Sequence, residues 1–147
     1  MAKLPRGIRN NNPGNIRKSH AVWQGLRKIQ DDPEFCQFET PTDGIRCIMK
    51  IIMSYGRNHG LNTVRQIINR WAPPNENDTG AYINAVCDSL GVAADDVIDT
   101  EKSGVLVALA RAIVRHENGK PSGPPWDANW WYGMTMYVDA AKRATGE

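Results

Sequence analysis

Residues 106–119, LVALARAIVRHENG, constrain the fold more than any other part of the chain. At about 100° per residue, Leu106, Leu109, Ala110 and Ile113 share one face of a helix. Glu117 falls on the same face, one turn beyond Ile113. The pattern therefore predicts an amphipathic helix that carries one carboxylate at the C-terminal end of its buried stripe.

The position of Glu117 predicts a carboxyl group with a raised pKa. Partial burial disfavours the charged form, and the negative end of the helix dipole lies beside it. Gly119 and Pro121 end the helix just beyond this residue. A carboxylic acid that stays protonated near neutral pH can act as a general acid. The alternative is a frayed helix-end residue whose stem packs while its head reaches water.

Composition indicates one globular domain covering residues 1–147. The chain has 41% hydrophobic and 23% charged residues, and 147 residues are enough to bury a core without disulfides. The net charge of +2 is too small to predict a nucleic-acid partner. Three cysteines, an odd number without paired spacing, predict reduced thiols. We expect a monomer.

The beginning of the sequence, MAKLPRGIRNNN, contains no apolar segment of the kind found in secretory signals. No apolar run approaches the roughly 18 residues that would span a membrane. We therefore expect synthesis in a cytoplasm, with no membrane span. A substrate outside that compartment would require release or delivery of the protein.

Apolar periodicity predicts that most of the chain is helical. The helix that carries Glu117 should open at Thr100 or Glu101. A short extended section is expected around residues 35–38, where Phe35 and Gln37 alternate with Cys36 and Phe38. Four other helices are expected. One runs from an N-cap at Thr42 and ends within 55–60, and a second covers Val64–Trp71 after a Thr63 cap. A third covers 80–90, between a cap at Asp78 or Thr79 and a stop at Gly91, and a fourth covers about 127–144.

Residues 5–18, PRGIRNNNPGNIRK, form an amide-rich segment with an Asn-Pro-Gly turn signal. Such a loop can present donors and acceptors to a sugar, or it can simply be a well-tied turn. On the first interpretation its side chains form a glycan-binding lip. Tryptophans could stack on sugar faces or belong to the core. The candidate binding residues are Arg9, Asn10, Asn12, Asn15 and Trp23, with Trp126 and Trp130 as further stacking candidates.

Several chemistries are not indicated by the sequence. His20, His59 and His116 lie far apart, and His116-Glu117 is not part of an HExxH motif, so we predict no metal site. No GxSxG, P-loop or Rossmann fingerprint occurs, and we predict no cofactor. An acidic residue must therefore carry any catalysis.

Several motifs together resemble phage and prophage peptidoglycan-degrading proteins, the lysozyme-like endolysins and virion-associated lytic transglycosylases. The resemblance covers nearly the whole chain in order. It rests on RNNNPGNIR at 9–17, Trp23-x-Gly25, the phenylalanines of 35–38, GIR at 44–46, WAPPNENDTGAYI at 71–83 and HENG at 116–119.

The same motifs resemble those of lytic transglycosylases and bacterial glucosaminidases in a rotated order. In those relatives the helix that ends in the catalytic Glu comes first, whereas here it comes last. The resemblance therefore implies a mainly α, lysozyme-like domain that is circularly permuted, which a packed site tolerates when the old termini lie close together.

The resemblance implies cleavage of the β-1,4 glycan backbone of bacterial peptidoglycan. Glu117 would be the acid, Tyr82 matches the relatives' active-site tyrosine, and Thr79 matches a polar neighbour. A muramidase needs a second carboxylate at a defined separation, which a transglycosylase does not. A non-catalytic virion or wall-binding module with the same fold is the alternative. The candidates for a second carboxylate are Glu39, Asp43, Glu76 and Asp78, each of which could equally be a cap or loop residue.

Overall fold

A computed structural model describes residues 3–73, 78–123 and 130–146. The protein is mainly helical, as predicted, and six helices lie within these ranges. They are α1 (Arg6–Arg9), α2 (Pro41–His59), α3 (Val64–Trp71), α4 (Thr79–Leu90), α5 (Ser103–Asn118) and α6 (Met134–Thr145). None of the helices in this part of the chain is long and apolar enough to cross a membrane.

Helix α2 lies at the centre of the core and packs against α5 and α6. Its three-and-four pattern buries Ile45, Ile48 and Ile52 completely. The predicted stripe of α5 is also confirmed, because Leu106, Leu109, Ala110 and Ile113 have no exposed surface. This burial fixes the rotation of α5 and therefore the direction in which its last turn faces.

The ends of α2, α3 and α4 follow local capping chemistry, with one correction to the prediction. Thr63 and Asp78 cap α3 and α4 by accepting bonds from the amides of Gln66 and Ala81. Helix α2 does not begin at a Thr42 cap. Thr40 is the N-cap, because Pro41 can occupy the first helical position without losing a hydrogen bond.

Helices α5 and α6 begin later than the sequence pattern predicts. Helix α5 does not open at Thr100 or Glu101 but at Ser103, and Thr100 is buried against Gly56. Helix α6 does not begin near residue 127 but at Met134. Tyr132 has a φ of +66°, a left-handed conformation that an α-helix cannot contain.

The N-terminal section contains a short helix, α1, where only a loop was predicted. Its extended part is held by isolated antiparallel bridges between Arg17 and Phe35 and between Leu26 and Phe38. Gly44 lets this section lie directly on α2, because a Cβ there would overlap the carbonyl oxygen of Asn11. The amide-rich loop thus reaches the side of the molecule where α5 ends.

Candidate functional site

Glu117 lines an open cleft of about 500 Å³ between the end of α5 and the N-terminal loop. Aromatic side chains from three segments face the same space, namely Phe35, Tyr55 and Trp71. The remaining lining residues are Gly14, Asn15, Ile16, Arg17, Ile51 and Pro73. Among the described residues, the cleft therefore combines one carboxyl group with three aromatic side chains and several polar groups.

The environment of Glu117 favours its protonated form, in the predicted direction. The side chain is half-buried, and burial raises the pKa of its carboxyl group. Hydrogen bonding by the Asn15 and Trp71 side chains acts in the opposite direction, but burial outweighs it. Glu117 is thus a carboxylic acid held between an amide and an indole at the edge of solvent.

The last turn of α5 is tied directly to the N-terminal loop. The Asn118 side chain donates to the carbonyl of Pro13 at 2.7 Å and to the carbonyl of Val114 at 2.8 Å. Gly7 permits this close approach, since a Cβ there would lie 2.7 Å from the Asn118 Oδ1 atom and 2.8 Å from that of Asn15. The same packing therefore places Asn15 beside Glu117.

Tyr82 lies behind the acid rather than in the cleft lining. Its side chain is 4% exposed, and its hydroxyl has no hydrogen-bond partner among the described residues. Burial raises the pKa of Tyr82, and the charge of Glu117 raises it further, so the two groups interact electrostatically. The Tyr82 ring packs on His116 with 4.0 Å between ring centroids.

Thr79 is buried, and its hydroxyl donates to the carbonyl of Ala72 at 3.0 Å. This bond joins the start of α4 to the residue that follows Trp71. Thr79 does not appear in the lining of the cleft. The predicted role of Thr79, which is to help fix the acid or a water, stays a prediction.

The expected glycan-binding lip is wrong for Asn10 and Asn12, which are buried. Asn10 bonds Asp32 and Gln37, at 2.9 and 3.1 Å. Asn12 donates to the carbonyls of Ile16 and Cys36 and accepts from the Ile16 amide. These amides replace regular backbone pairing inside the N-terminal section, so they cannot reach a ligand without breaking it.

The other predicted binding residues lie in different places. Asn15 lines the cleft, and its role in binding stays a prediction. Arg9 is exposed, but its Nε atom donates to the Leu4 carbonyl at 3.1 Å and it does not line the cleft. Trp23 is half-buried against the core. Trp126 lies outside the described residues.

A second carboxylate does not line the cleft within the described ranges. Asp43 instead accepts a bond from the Thr40 hydroxyl at 2.8 Å and helps to cap α2. Glu39 is exposed away from the lining. Glu76 lies outside the described residues. In this part of the chain Glu117 alone supplies a carboxyl group to the cleft.

The sequence reasoning did not identify a second depression, which lies between α4 and α5. This α4/α5 groove measures about 380 Å³ and has Tyr82 and His116 at the end nearest the acid. Its other lining residues are Asp78, Ala81, Ala85, Ser89, Ala108, Arg111, Ala112, Arg115 and Trp130. The alanines that recur on both helices were the sequence feature that could have indicated this groove. Alanine also has the highest helix propensity, so its recurrence does not by itself indicate a groove.

Metal-ligating side chains do not cluster in the parts of the chain that the structure covers. No group of three His, Cys, Asp or Glu residues there comes together. Cys36, Cys47 and Cys87 are free thiols. The described lining of the cleft offers a carboxyl group, an amide, an indole, a phenol and the guanidinium group of Arg17.

Fold and cleft together define a mainly helical protein whose described residues place one carboxyl group in an open, aromatic-walled cleft. No family model matches the sequence. The chain is 39% identical to Protein P5 of Pseudoalteromonas phage PM2 over 117 residues, which cover 78% of this chain and 71% of that protein. The chain belongs to the same family as this phage protein.

Proposed function

We propose that the protein cleaves the β-1,4 glycan backbone of peptidoglycan with Glu117 as the general acid. The observation that carries this proposal is the half-buried carboxyl group of Glu117, whose pKa is raised by burial at the wall of an open cleft. Such a group can deliver a proton to a glycosidic oxygen. No other carboxylate among the described residues is placed in this cleft.

The walls of the cleft suit a polysaccharide. Sugars present flat apolar faces that pack on aromatic rings, and their hydroxyl groups need donors and acceptors at the edges. Trp71, Tyr55 and Phe35 supply rings, while Asn15 and Arg17 supply polar groups. The sequence resemblance to phage peptidoglycan-degrading proteins and the phage origin of the relative both favour bacterial wall as the polymer.

We further propose a lysozyme-like fold in circularly permuted form. Two features support it: the acid stands at the end of a late helix, and the N-terminal amide loop docks on that helix through Asn118 and Pro13. In an unpermuted relative the acid helix would precede this loop. The order of the motifs and the contact between them are both consistent with rotation of the chain.

The arrangement favours a transglycosylase reaction. Glu117 gives its proton to the glycosidic oxygen while the bond from that oxygen to C1 of N-acetylmuramic acid breaks. The C6 hydroxyl of the same sugar then forms a bond to C1, and its proton returns to the Glu117 carboxylate. The product is a 1,6-anhydro sugar, and no water or protein nucleophile is consumed. A muramidase would instead need a second carboxylate.

The proposal is tested by comparing how fast the wild type and Glu117→Gln lyse chloroform-treated Gram-negative cells. We expect the wild type to clear the suspension and the variant to lose nearly all activity. Glu101→Gln is the matched control, because Glu101 is an exposed carboxylate paired with Arg57 and should leave the rate unchanged. If the wild type binds sacculi without cleaving them, the protein is a wall-binding module.

A further inference from the structure

The α4/α5 groove holds two arginines that have no acidic partner among the described residues. Arg111 and Arg115 both lie over the Trp130 ring, with guanidinium carbons 3.8 and 5.4 Å from its centroid. Neither takes part in an ion pair within the ranges that the structure describes. Two like charges that share one indole repel each other, so this pair is suited to a bound anion.

The donors of Arg111 are available to such an anion. A guanidinium stacked on a ring keeps its in-plane N–H groups free, and these match a carboxylate in geometry. The Nε atom of Arg111 is buried and lacks a hydrogen-bond partner in the described part of the chain. A buried donor without a partner costs free energy, which a ligand can recover.

The rest of the groove accepts small apolar groups. Ala85 of α4 and Ala112 of α5 line it, and its surface is mainly apolar between the cationic wall and Asp78. Asp78 is the one acidic side chain that the described residues contribute to the lining, and it also accepts the capping bond of α4 at 3.3 Å. A ligand of matching chemistry carries methyl groups, a carboxylate for the arginines and a cationic group toward Asp78.

The groove and the cleft are lined by consecutive residues at the end of α5. His116 lines the groove and Glu117, the next residue, lines the cleft. Tyr82 packs on His116 and interacts with the charge of Glu117. A polymer whose backbone lies in the cleft can therefore place a branch of a few residues in the groove.

We propose that the α4/α5 groove binds the stem peptide of peptidoglycan through Arg111 and Arg115. This peptide is short, rich in alanine methyl groups, and carries several carboxylates and one amine when it contains diaminopimelate. The assignment rests on the proposed function, because it takes the glycan in the cleft as given. It adds that the protein selects glycan strands that still bear peptides.

The free tetrapeptide L-Ala-γ-D-Glu-meso-diaminopimelate-D-Ala is the direct probe. We expect its titration into the wild-type protein to shift the backbone amide signals of residues 81–89 and 108–116. Arg111→Gln/Arg115→Gln should weaken binding by about tenfold or more, since two charge-assisted contacts are lost. Arg65→Gln/Arg143→Gln removes equal charge from surface ion pairs and should bind as the wild type does.

A second groove variant keeps the proposal testable if the arginine double variant does not fold. Ala85→Leu should fill the groove and weaken tetrapeptide binding, whereas Asn84→Leu, a neighbouring exposed position outside the lining, should not. The absence of tetrapeptide shifts, shifts confined to the Glu117 cleft, or unchanged affinity in both groove variants would overturn the proposal.

Cleavage of two substrates separates this proposal from the proposed function. Arg111→Gln/Arg115→Gln should raise KM for peptide-bearing strands and leave cleavage of amidase-stripped strands unchanged. Equal loss on both substrates would contradict a peptide site. If the wild type cleaves neither form while the tetrapeptide still shifts the groove, the proposed function fails and the groove assignment stands.

Discussion

The side chain of Asn118 donates a hydrogen bond to the Pro13 carbonyl at 2.7 Å, across 105 residues of sequence. This contact joins the final turn of the acid helix to the loop that carries Asn15. The position of the amide beside Glu117 therefore depends on a residue that need not touch substrate. We therefore infer that Asn118 is a positioning residue, which holds Asn15 beside Glu117.

Asn118→Ala should reduce both stability and activity. Loss of the bonds to Pro13 and Val114 should cost about 1–2 kcal/mol of unfolding free energy. Displacement of Asn15 from Glu117 should lower kcat by about tenfold or more, because small misplacements at a reacting centre are expensive. Chemical denaturation and lysis rates measured on the same preparation check both values. Asn84→Ala is the exposed control, and equal activity in the two variants would contradict the positioning role.

Tyr82→Phe should change stability and activity in opposite directions. The hydroxyl is buried without a partner in the described residues, so its removal should leave the thermal midpoint unchanged or raise it. If that hydroxyl acts on Glu117 or on the reacting sugar, the rate should fall by about tenfold. Calorimetry and lysis kinetics make the comparison. An unchanged rate would mean that Tyr82 only packs.

Asn12→Ala should destabilise the fold by about 2–4 kcal/mol, because three buried hydrogen bonds to the backbone are lost. The thermal midpoint should fall accordingly, while Kd for isolated glycan strands should stay at the wild-type value wherever the variant remains folded. A stable variant with weakened glycan binding would show instead that Asn12 belongs to the glycan-binding lip.

Asp32 should make the N-terminal section sensitive to acid. Its hydrogen bonds with Arg6, at 2.6 and 2.7 Å, hold the pKa of Asp32 far below the ordinary value of 3.8, against the opposing effect of burial. A depressed pKa in the folded state adds stability that is present above pH 3.8 and is lost as pH falls below it.

Asp32→Asn should therefore be less stable than the wild type at pH 7, and the difference should narrow as pH falls below about 4. Denaturant midpoints measured between pH 7 and pH 2 follow the trend. Asp88→Asn, at an exposed position, is the control. A stability difference between the wild type and Asp32→Asn that stays constant with pH would show that the Asp32 charge is not what stabilises this section.

Local patterns were sufficient to predict helices α2 to α6, although not the short α1. Ile45, Ile48 and Ile52 repeat at helical spacing, and Thr63 and Gly91 mark ends through capping chemistry that involves only their neighbours. Glu117 could be placed on the buried stripe for the same reason. Helix starts were less predictable, because the left-handed Tyr132 and the burial of Thr100 both depend on tertiary packing.

Residues that act over long sequence separations were not predictable. Asn10 and Asn12 look like surface amides in sequence, but they are buried by partners up to 27 residues away. The α4/α5 groove depends on how two helices face each other, which alanine spacing alone does not specify. Trp71 and Asn15 reach Glu117 only when three distant segments meet.

The products released from purified sacculi test the central claim most directly. Mass spectrometry should show that the wild type releases glycan fragments whose terminal muramic acid is lighter than the hydrolysed form by one water, and that Glu117→Gln releases none. Asp43→Gln, which alters a helix cap outside the cleft, should still release them if it remains folded. Fragments from Glu117→Gln at the wild-type rate, or no fragments from the wild type, would contradict the assignment of Glu117 as the acid of a glycan-cleaving enzyme.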